Sequence, residues 1–102
     1  MNFEWDERKN QLNIGKHDLD FFDAWEVFQN PILVEIDDRF DYDETRFVAL
    51  GLLRDLIVVL VYAEKENGII RIISFRRAVR YERDRFFKYI QDELGTTSDD
   101  VG

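Results

Sequence analysis

The pattern of hydrophobic and polar positions divides the chain into helical and extended segments. Residues 3–17, FEWDERKNQLNIGKH, predict a short extended piece and then a polar helix, which Asp6 caps and which ends near Gly15. Residues 18–31 predict a second helix, because apolar side chains recur on one helical face: Phe21, Ala24, Trp25 and Phe28. Two helices are therefore expected before the first strand.

Four runs rich in β-branched and apolar residues predict strands, at residues 32–37, 45–53, 56–64 and 69–75. Arg54-Asp55 supplies a tight connection between the second and third runs, and Asn67-Gly68 is a strong hairpin signal between the third and fourth. Such a series predicts a mostly antiparallel sheet. Because the central runs are too uniformly apolar to face water, helices should cover at least one side.

The last part of the chain changes back to a helical period. From Arg76 onward, one face carries Val79, Phe86 and Ile90, which predicts a C-terminal helix. Residues 94–102 are polar and predict a flexible tail, so that residues 1–93 form a single domain. The predicted fold class is α+β, with two N-terminal helices, a four-stranded mostly antiparallel sheet and a C-terminal helix.

Composition narrows the classes of function. The 102 residues include no cysteine, which excludes disulfides, thiolate metal sites and a cysteine nucleophile. The longest apolar run, residues 56–63, is far shorter than the roughly 20 residues that span a bilayer. The charged N-terminal sequence is also unlike a signal peptide. These features predict a cytoplasmic protein.

The net charge of −8 hides a strongly basic stretch. Residues 71–88 carry seven Lys and Arg against two acids, a local net charge of +5. On the predicted helix, Arg76, Arg80 and Arg83 fall within a sector of about 60°. Like charges so close need a counter-charge, which could be the protein's own carboxylates, an acidic partner protein or a phosphate, for which the guanidinium fork is well matched.

Glu82 is the unusual residue of this helix, because its position falls on the packed side. A buried carboxylate must be paired or have a raised pKa. It is therefore either bridged internally, to Arg71 or Arg76, or a general acid or base.

Lys16 and His17 form a second candidate pair, in a predicted loop after the first helix. His17 is the only histidine and could be an ordinary surface residue. Beside Lys16 it could instead move a proton next to a phosphate whose charge the lysine neutralises. The acidic stretch at residues 37–44 lacks the spacing and glycine of an EF-hand loop, so we predict no metal site there.

Three segments carry a resemblance to a known family: FEWDERKNQLNIGKHDLDFFDAWEVFQNP, DDRFDYDETRFVALG and RIISFRRAVRYERDRF. In order and spacing they resemble the BrnT toxins of bacterial type II toxin–antitoxin modules, over about residues 3–86. The resemblance implies a RelE-like fold, a ribonuclease activity that arrests growth, and neutralisation by a BrnA-like ribbon-helix-helix antitoxin. It implies contact with DNA only through that antitoxin.

Carried over position by position, the resemblance indicates Lys16, His17, Arg76 and Glu82 as catalytic residues. The basic stretch adds Arg77, Arg80 and Arg83 as candidate RNA-binding residues. Phe75 and Phe86 depart from the family pattern, since a small residue and a tyrosine are usual there.

The leading hypothesis is cleavage of RNA without a cofactor or metal, by attack of the ribose 2′-OH on the adjacent phosphate. The alternative is a non-enzymatic interaction module whose basic C-terminal helix docks an acidic partner.

Overall fold

A computed structural model of the chain describes residues 1–38 and 44–94. In chain order its elements are β1 (Asn2–Glu4), α1 (Glu7–His17), a 3₁₀ helix (Phe21–Gln29), β2 (Leu33–Asp37), β3 (Arg46–Leu53), β4 (Leu56–Glu64), β5 (Ile69–Arg77) and α2 (Arg80–Leu94). The predicted α+β class is confirmed. The predicted tail, beyond Leu94, and the acids Asp41 and Asp43 lie outside the described residues.

The sheet has five strands in the order β1-β5-β4-β3-β2, so the prediction of four strands was wrong. The antiparallel series from β2 to β5 was predicted, with strand ends within two residues of those observed. The additional strand is β1, which pairs in parallel with β5 at one edge. Three residues are too few for a hydrophobic period, which is why the sequence predicts only an extended piece there.

Both predicted hairpin connections are confirmed by the backbone. Arg54 and Gly68 adopt left-handed conformations, with φ of 57° and 80°. Glycine takes such a φ without steric cost, whereas Arg54 adopts it within a two-residue turn between β3 and β4.

The first helix is longer than predicted. Its N-cap is Asp6, as predicted, which accepts hydrogen bonds from the backbone N–H groups of Arg8 and Lys9 at 2.9 and 3.2 Å. The helix continues through Gly15 to His17, and the left-handed residue that ends it is Asp18, at φ 57°. Glycine within a helix costs only about 1 kcal/mol, so Gly15 does not stop it.

The second predicted helix is a 3₁₀ helix, and this changes which side chains are buried. Its buried residues are Phe21, Ala24 and Val27, spaced by three, as the three-residue turn of a 3₁₀ helix requires. Trp25, predicted on the buried face, is therefore 46% exposed.

The C-terminal helix begins later than predicted, because β5 extends to Arg77. The backbone N–H of Ala78 still donates to the carbonyl of Ile57 at 2.9 Å, beyond the end of the strand. Arg76 therefore projects from a strand, and the predicted helical stripe of Arg76, Arg80 and Arg83 was wrong.

Helices cover both faces of the sheet. The larger cluster of buried side chains joins one face to the 3₁₀ helix, with α1 packed beside it on β5: Phe21, Ala24, Val27, Ala49, Val58, Leu60 and Phe75, among others. A smaller cluster joins the other face to α2: Leu50, Val59, Ala78 and Phe86. Arg76 pairs across the sheet with Val59 and so lies on the α2 side.

Strand β3 packs closely against the 3₁₀ helix at Gly51. A Cβ at Gly51 would approach Cγ1 of the fully buried Val27 to 2.6 Å, whereas one at Gly15 would meet nothing within 4 Å.

We expect Gly51→Ala to lower the free energy of unfolding by about 1–3 kcal/mol through overpacking. The matched Gly15→Ala should raise it by about 0.5–1 kcal/mol, because alanine favours the helix. Urea denaturation of both variants measures this, and equal effects would contradict the packing argument.

Candidate functional site

The candidate site centres on Arg76, near the end of β5. Its Nη1 and Nη2 atoms donate to Oε1 and Oε2 of Glu82, each at 2.8 Å, so that the two planar groups form a bidentate pair. The Arg76 side chain is 36% exposed, while that of Glu82 is 10% exposed. The mostly buried Glu82 thus fixes the orientation of an arginine that is partly exposed at the surface.

Glu82 also caps α2. Its Oε1 accepts from the backbone N–H of Val79 at 2.9 Å, in the manner of a glutamate in the third position of a helix reaching back to the N-cap. The hydrogen bond from Arg76 lowers the pKa of Glu82 below its ordinary value of 4.5, against the opposing effect of burial. Of the two predicted roles, an internal bridge to Arg76 is therefore the one found. Arg71 instead pairs with Glu44.

Arg76 meets the predicted Lys16–His17 pair at an open cavity of about 530 Å³, lined by Gly15, Lys16, His17, Asp18, Arg76, Arg77 and Val79. Lys16 and His17 lie in the last turn of α1. The prediction that they lie in a loop was therefore wrong. Burial, Lys16 and Arg76, in that order, lower the pKa of His17 below 6.5. The imidazole is therefore mostly neutral at pH 7 and can accept a proton.

The relative position of α1 and β5 is set by Asn13, to which the residue pattern assigned no role. Its Nδ2 donates to the carbonyls of Phe75 and Leu19 at 2.8 and 2.9 Å, and its Oδ1 accepts from the backbone N–H of Phe75 at 3.2 Å. Asn13 thus joins the turn before Lys16 to the residue before Arg76. The sequence signal that could have indicated this role is the pair Asn10 and Asn13. Residues three apart lie on the same face of a helix, and both asparagines are buried.

A second cavity, of about 440 Å³, lies on the other side of Arg76. The part of its lining that the structure describes includes Arg76, several uncharged side chains and four carboxylates: Glu35, Asp37, Asp38 and Glu82. Among the described residues that line the first cavity, in contrast, three side chains are cationic and one is a carboxylate, Asp18. Arg76 therefore separates a cationic cavity from an anionic one.

Not all predicted site residues come together. Arg77 lines the cationic cavity, but Arg80 and Arg83 do not. Both lie exposed in the first turn of α2, where Nη1 of Arg83 donates to the carbonyl of Ala78 at 3.0 Å. One further helix arginine, Arg85, forms an ion pair with Glu35.

Within residues 1–38 and 44–94, no three His, Asp or Glu side chains are grouped so as to hold a metal ion. The described part of the chain also contains no helix both long and apolar enough to cross a membrane.

Comparisons with known proteins agree on one family. Residues 5–82 match the model of the BrnT toxin family, described as the ribonuclease toxin, BrnT, of type II toxin–antitoxin systems. A crystal structure of the ribonuclease toxin BrnT from Brucella abortus is similar to this chain, with a TM-score of 0.61 and 30% sequence identity. The match covers 78% of this chain and 99% of that one. No curated protein sequence matched.

Removing the Asn13 amide should loosen the site and the fold together. Asn13→Ala leaves the N–H and carbonyl of Phe75 without these partners in the interior, so we expect about 2–3 kcal/mol of lost unfolding free energy. Gln11→Ala, on the exposed face of the same helix, removes only a bond to Glu7 and should stay within about 0.5 kcal/mol. Urea denaturation compares the two, and equal losses would show that Asn13 has no special role in joining α1 to β5.

The Arg76–Glu82 pair should make stability depend on pH. Because the pKa of Glu82 is lowered in the fold, its ionised form stabilises the protein above pH 4.5, and this is lost as pH falls through the lowered value. Glu82→Gln keeps the shape and an acceptor for Val79, and at pH 7 should cost about 1–2 kcal/mol. The difference from the parent protein should shrink in acid. A difference that persists well below pH 4.5 in thermal melts would contradict a stabilising charge on Glu82.

Proposed function

The chain belongs to the BrnT family of ribonuclease toxins of type II toxin–antitoxin systems, and on that premise we propose that it cleaves RNA internally without a metal ion. Growth arrest until an antitoxin binds is part of the same proposal. The single observation that supports it most is the meeting of Arg76, Lys16 and His17 at one accessible cationic cavity.

Charge supports one binding orientation for RNA. A phosphodiester is attracted to the cavity lined by Lys16, Arg76 and Arg77 and repelled by the carboxylates of the neighbouring cavity. The scissile phosphate is therefore assigned to the Lys16–His17 side of Arg76. Arg80 and Arg83, outside the cavity, are assigned to flanking phosphates of the RNA backbone.

The roles follow from protonation states. His17, with a lowered pKa, is the general base that takes the proton of the ribose 2′-OH. Glu82 is ionised and bound to Arg76, so at neutral pH it has no proton to give and is a weak base. We therefore assign Glu82 to positioning Arg76, and not to proton transfer.

In the proposed reaction, the 2′-oxygen forms a bond to the adjacent phosphorus while the bond to the 5′-oxygen breaks. His17 receives the 2′ proton, and the leaving 5′-oxygen takes a proton from solvent in the open cavity. The products are a cyclic phosphate and a 5′-hydroxyl. Lys16 and Arg76 stabilise the charge that develops on the phosphorane oxygens, and fixed donors of this kind are effective because they need no reorganisation.

The partner proposed for this toxin is an antitoxin of the ribbon-helix-helix class, BrnA-like, through which alone the pair contacts DNA. A cytoplasmic location and a RelE-like relationship of the fold belong to the same proposal. Family membership is their support.

Purified protein incubated with RNA in EDTA tests the activity. We expect cleavage by the parent chain, a loss of about 10²–10³-fold in Arg76→Ala, and about 10²–10⁴-fold in His17→Ala. The parent rate should also fall as pH is lowered through the His17 pKa, which lies below 6.5. The variant lacking His17 should not show this fall.

Arg85→Ala is the matched control, since Arg85 is an exposed arginine of α2 that pairs with Glu35 away from the cationic cavity. It should retain activity. Intact RNA with the folded parent protein would reject the nuclease proposal in favour of an interaction module. Equal losses in Arg85→Ala and Arg76→Ala would reject the assigned site.

A further inference from the structure

A smaller cavity, the turn cavity, adjoins the cationic cavity and has one wall formed by the turn between β3 and β4. Its volume is about 290 Å³. Its described lining combines four apolar side chains, four carboxylates and two arginines. Two of these residues, Asp18 and Arg77, also line the cationic cavity. A molecule bound at the cationic cavity therefore has the turn cavity directly beside it.

The turn cavity forms where three segments of the chain converge. The left-handed Asp18 ends α1, and the left-handed Arg54 reverses the chain between β3 and β4. The backbone N–H of Ala78 donates to the carbonyl of Ile57 at 2.9 Å, which brings the end of β5 beside that turn. The position of Arg77 between the two cavities is thus set by the backbone.

The inner wall of the turn cavity is apolar. Leu19 and Leu53 are 5% and 2% exposed and belong to the larger cluster of buried side chains. Ile14 and Leu56, both half-buried, extend this surface. Small-molecule sites begin at about 300 Å³ and combine apolar walls with a few polar groups. A single nucleobase, with apolar faces and polar edges, has this character.

The polar side chains of the turn cavity differ in what they already bind. Asp20 accepts hydrogen bonds from Asn10 and from the backbone at the start of the 3₁₀ helix, each at 2.9 Å. Asp23 lies 3.5 Å from Arg54. Within residues 1–38 and 44–94, three side chains of this lining make no hydrogen bond or ion pair: Asp18, Asp55 and Arg77.

These three side chains match the edges of guanine. A carboxylate only accepts hydrogen bonds, and guanine is the RNA base whose Watson–Crick edge carries two adjacent donors, N1–H and the 2-amino group. A guanidinium donates two hydrogen bonds to O6 and N7 of guanine. Asp55 lines the turn cavity and not the cationic one, so it is assigned to the Watson–Crick edge. Arg77, which lines both, is assigned to O6 and N7.

We propose that the turn cavity binds a guanine next to the scissile phosphate and so gives this ribonuclease a preference for guanine. This rests on the proposed function, since the phosphate of the same RNA occupies the cationic cavity. Asp55 repels a phosphate but not a neutral base, whereas Lys16 attracts the phosphate. Charge thus favours the base in the turn cavity and the phosphate in the cationic one.

Mononucleotide binding tests the turn cavity without requiring cleavage. Calorimetry compares guanosine and inosine monophosphates, each as the 3′ and the 5′ isomer, because inosine lacks only the 2-amino group. For one isomer, the parent protein should bind guanosine about fivefold to a hundredfold more tightly than inosine. In Asp55→Asn this ratio should fall below about twofold, since an amide is not a double acceptor. Removing a negative charge alone would strengthen both nucleotides alike and leave the ratio unchanged.

Asp84→Asn is the matched control, because Asp84 is an exposed aspartate that lines neither cavity. It should keep the ratio of the parent protein. Three results would overturn the proposal: absence of nucleotide binding, equal affinities of the parent for guanosine and inosine forms, and a ratio that Asp55→Asn leaves unchanged.

Mapping the ends of cleaved RNA separates this proposal from the nuclease proposal. The parent chain should cut beside guanine, and Asp55→Asn should lose that preference while still cutting. RNA that the parent cuts without base preference would overturn the guanine site and leave the nuclease proposal supported. Intact RNA together with selective binding of guanosine nucleotides would reject the nuclease and support the guanine site.

Discussion

The bidentate contact between Arg76 and Glu82 is the interaction on which the rest of the site depends. It connects the end of β5 to the first turn of α2, and the same carboxylate satisfies the N–H of Val79. Without it, a half-exposed arginine would be free to adopt many rotamers, and fixing one at binding would cost up to about 2 kcal/mol of side-chain entropy. Because Glu82 already holds Arg76 in the folded protein, this entropy is lost during folding and not on binding. The guanidinium is then already oriented when an anion arrives.

The same contact helps a protein of net charge −8 to present a locally cationic surface. Arg76 divides the surface beside β5 into a cavity with Lys16, His17 and Arg77 and another with four carboxylates. Potentials act over about 8–10 Å in physiological salt, so a bound phosphate responds to the nearer cavity more than to the total charge. The carboxylates beside Arg76 also make their own cavity unfavourable for an anion. For the RNA phosphate of the proposed function, they favour the side of Arg76 that faces Lys16 and His17.

The strands could be predicted from the sequence because runs such as residues 56–64 are apolar throughout and are bounded by turn residues. The failures have physical causes. The 3.0-residue period of a 3₁₀ helix and the 3.6-residue period of an α-helix differ little over nine residues. The sequence pattern therefore predicted Trp25 on the buried face. Arg76 alternates with the buried Phe75 as a strand residue does, but the basic run hid this alternation. Lys16, His17, Arg76 and Glu82 were predicted by charge and by resemblance, and the structure places Arg76 beside Lys16 and His17 at one cavity and in an ion pair with Glu82. No structural role was predicted for Asn13, because that role lies in contacts with Phe75, 62 positions away in the sequence.

The position of α1 is fixed by two buried asparagines on the same side of the helix. Asn13 hydrogen-bonds to both backbone groups of Phe75 in β5, and Asn10 accepts from the backbone N–H of Phe21 in the 3₁₀ helix at 2.8 Å. Because these contacts are made to backbone groups, they do not depend on which side chains β5 and the 3₁₀ helix carry. Lys16 and His17 follow Asn13 by one turn and are thereby held beside Arg76. The cationic cavity is therefore assembled by neutral amide contacts, which add no charge of their own to it.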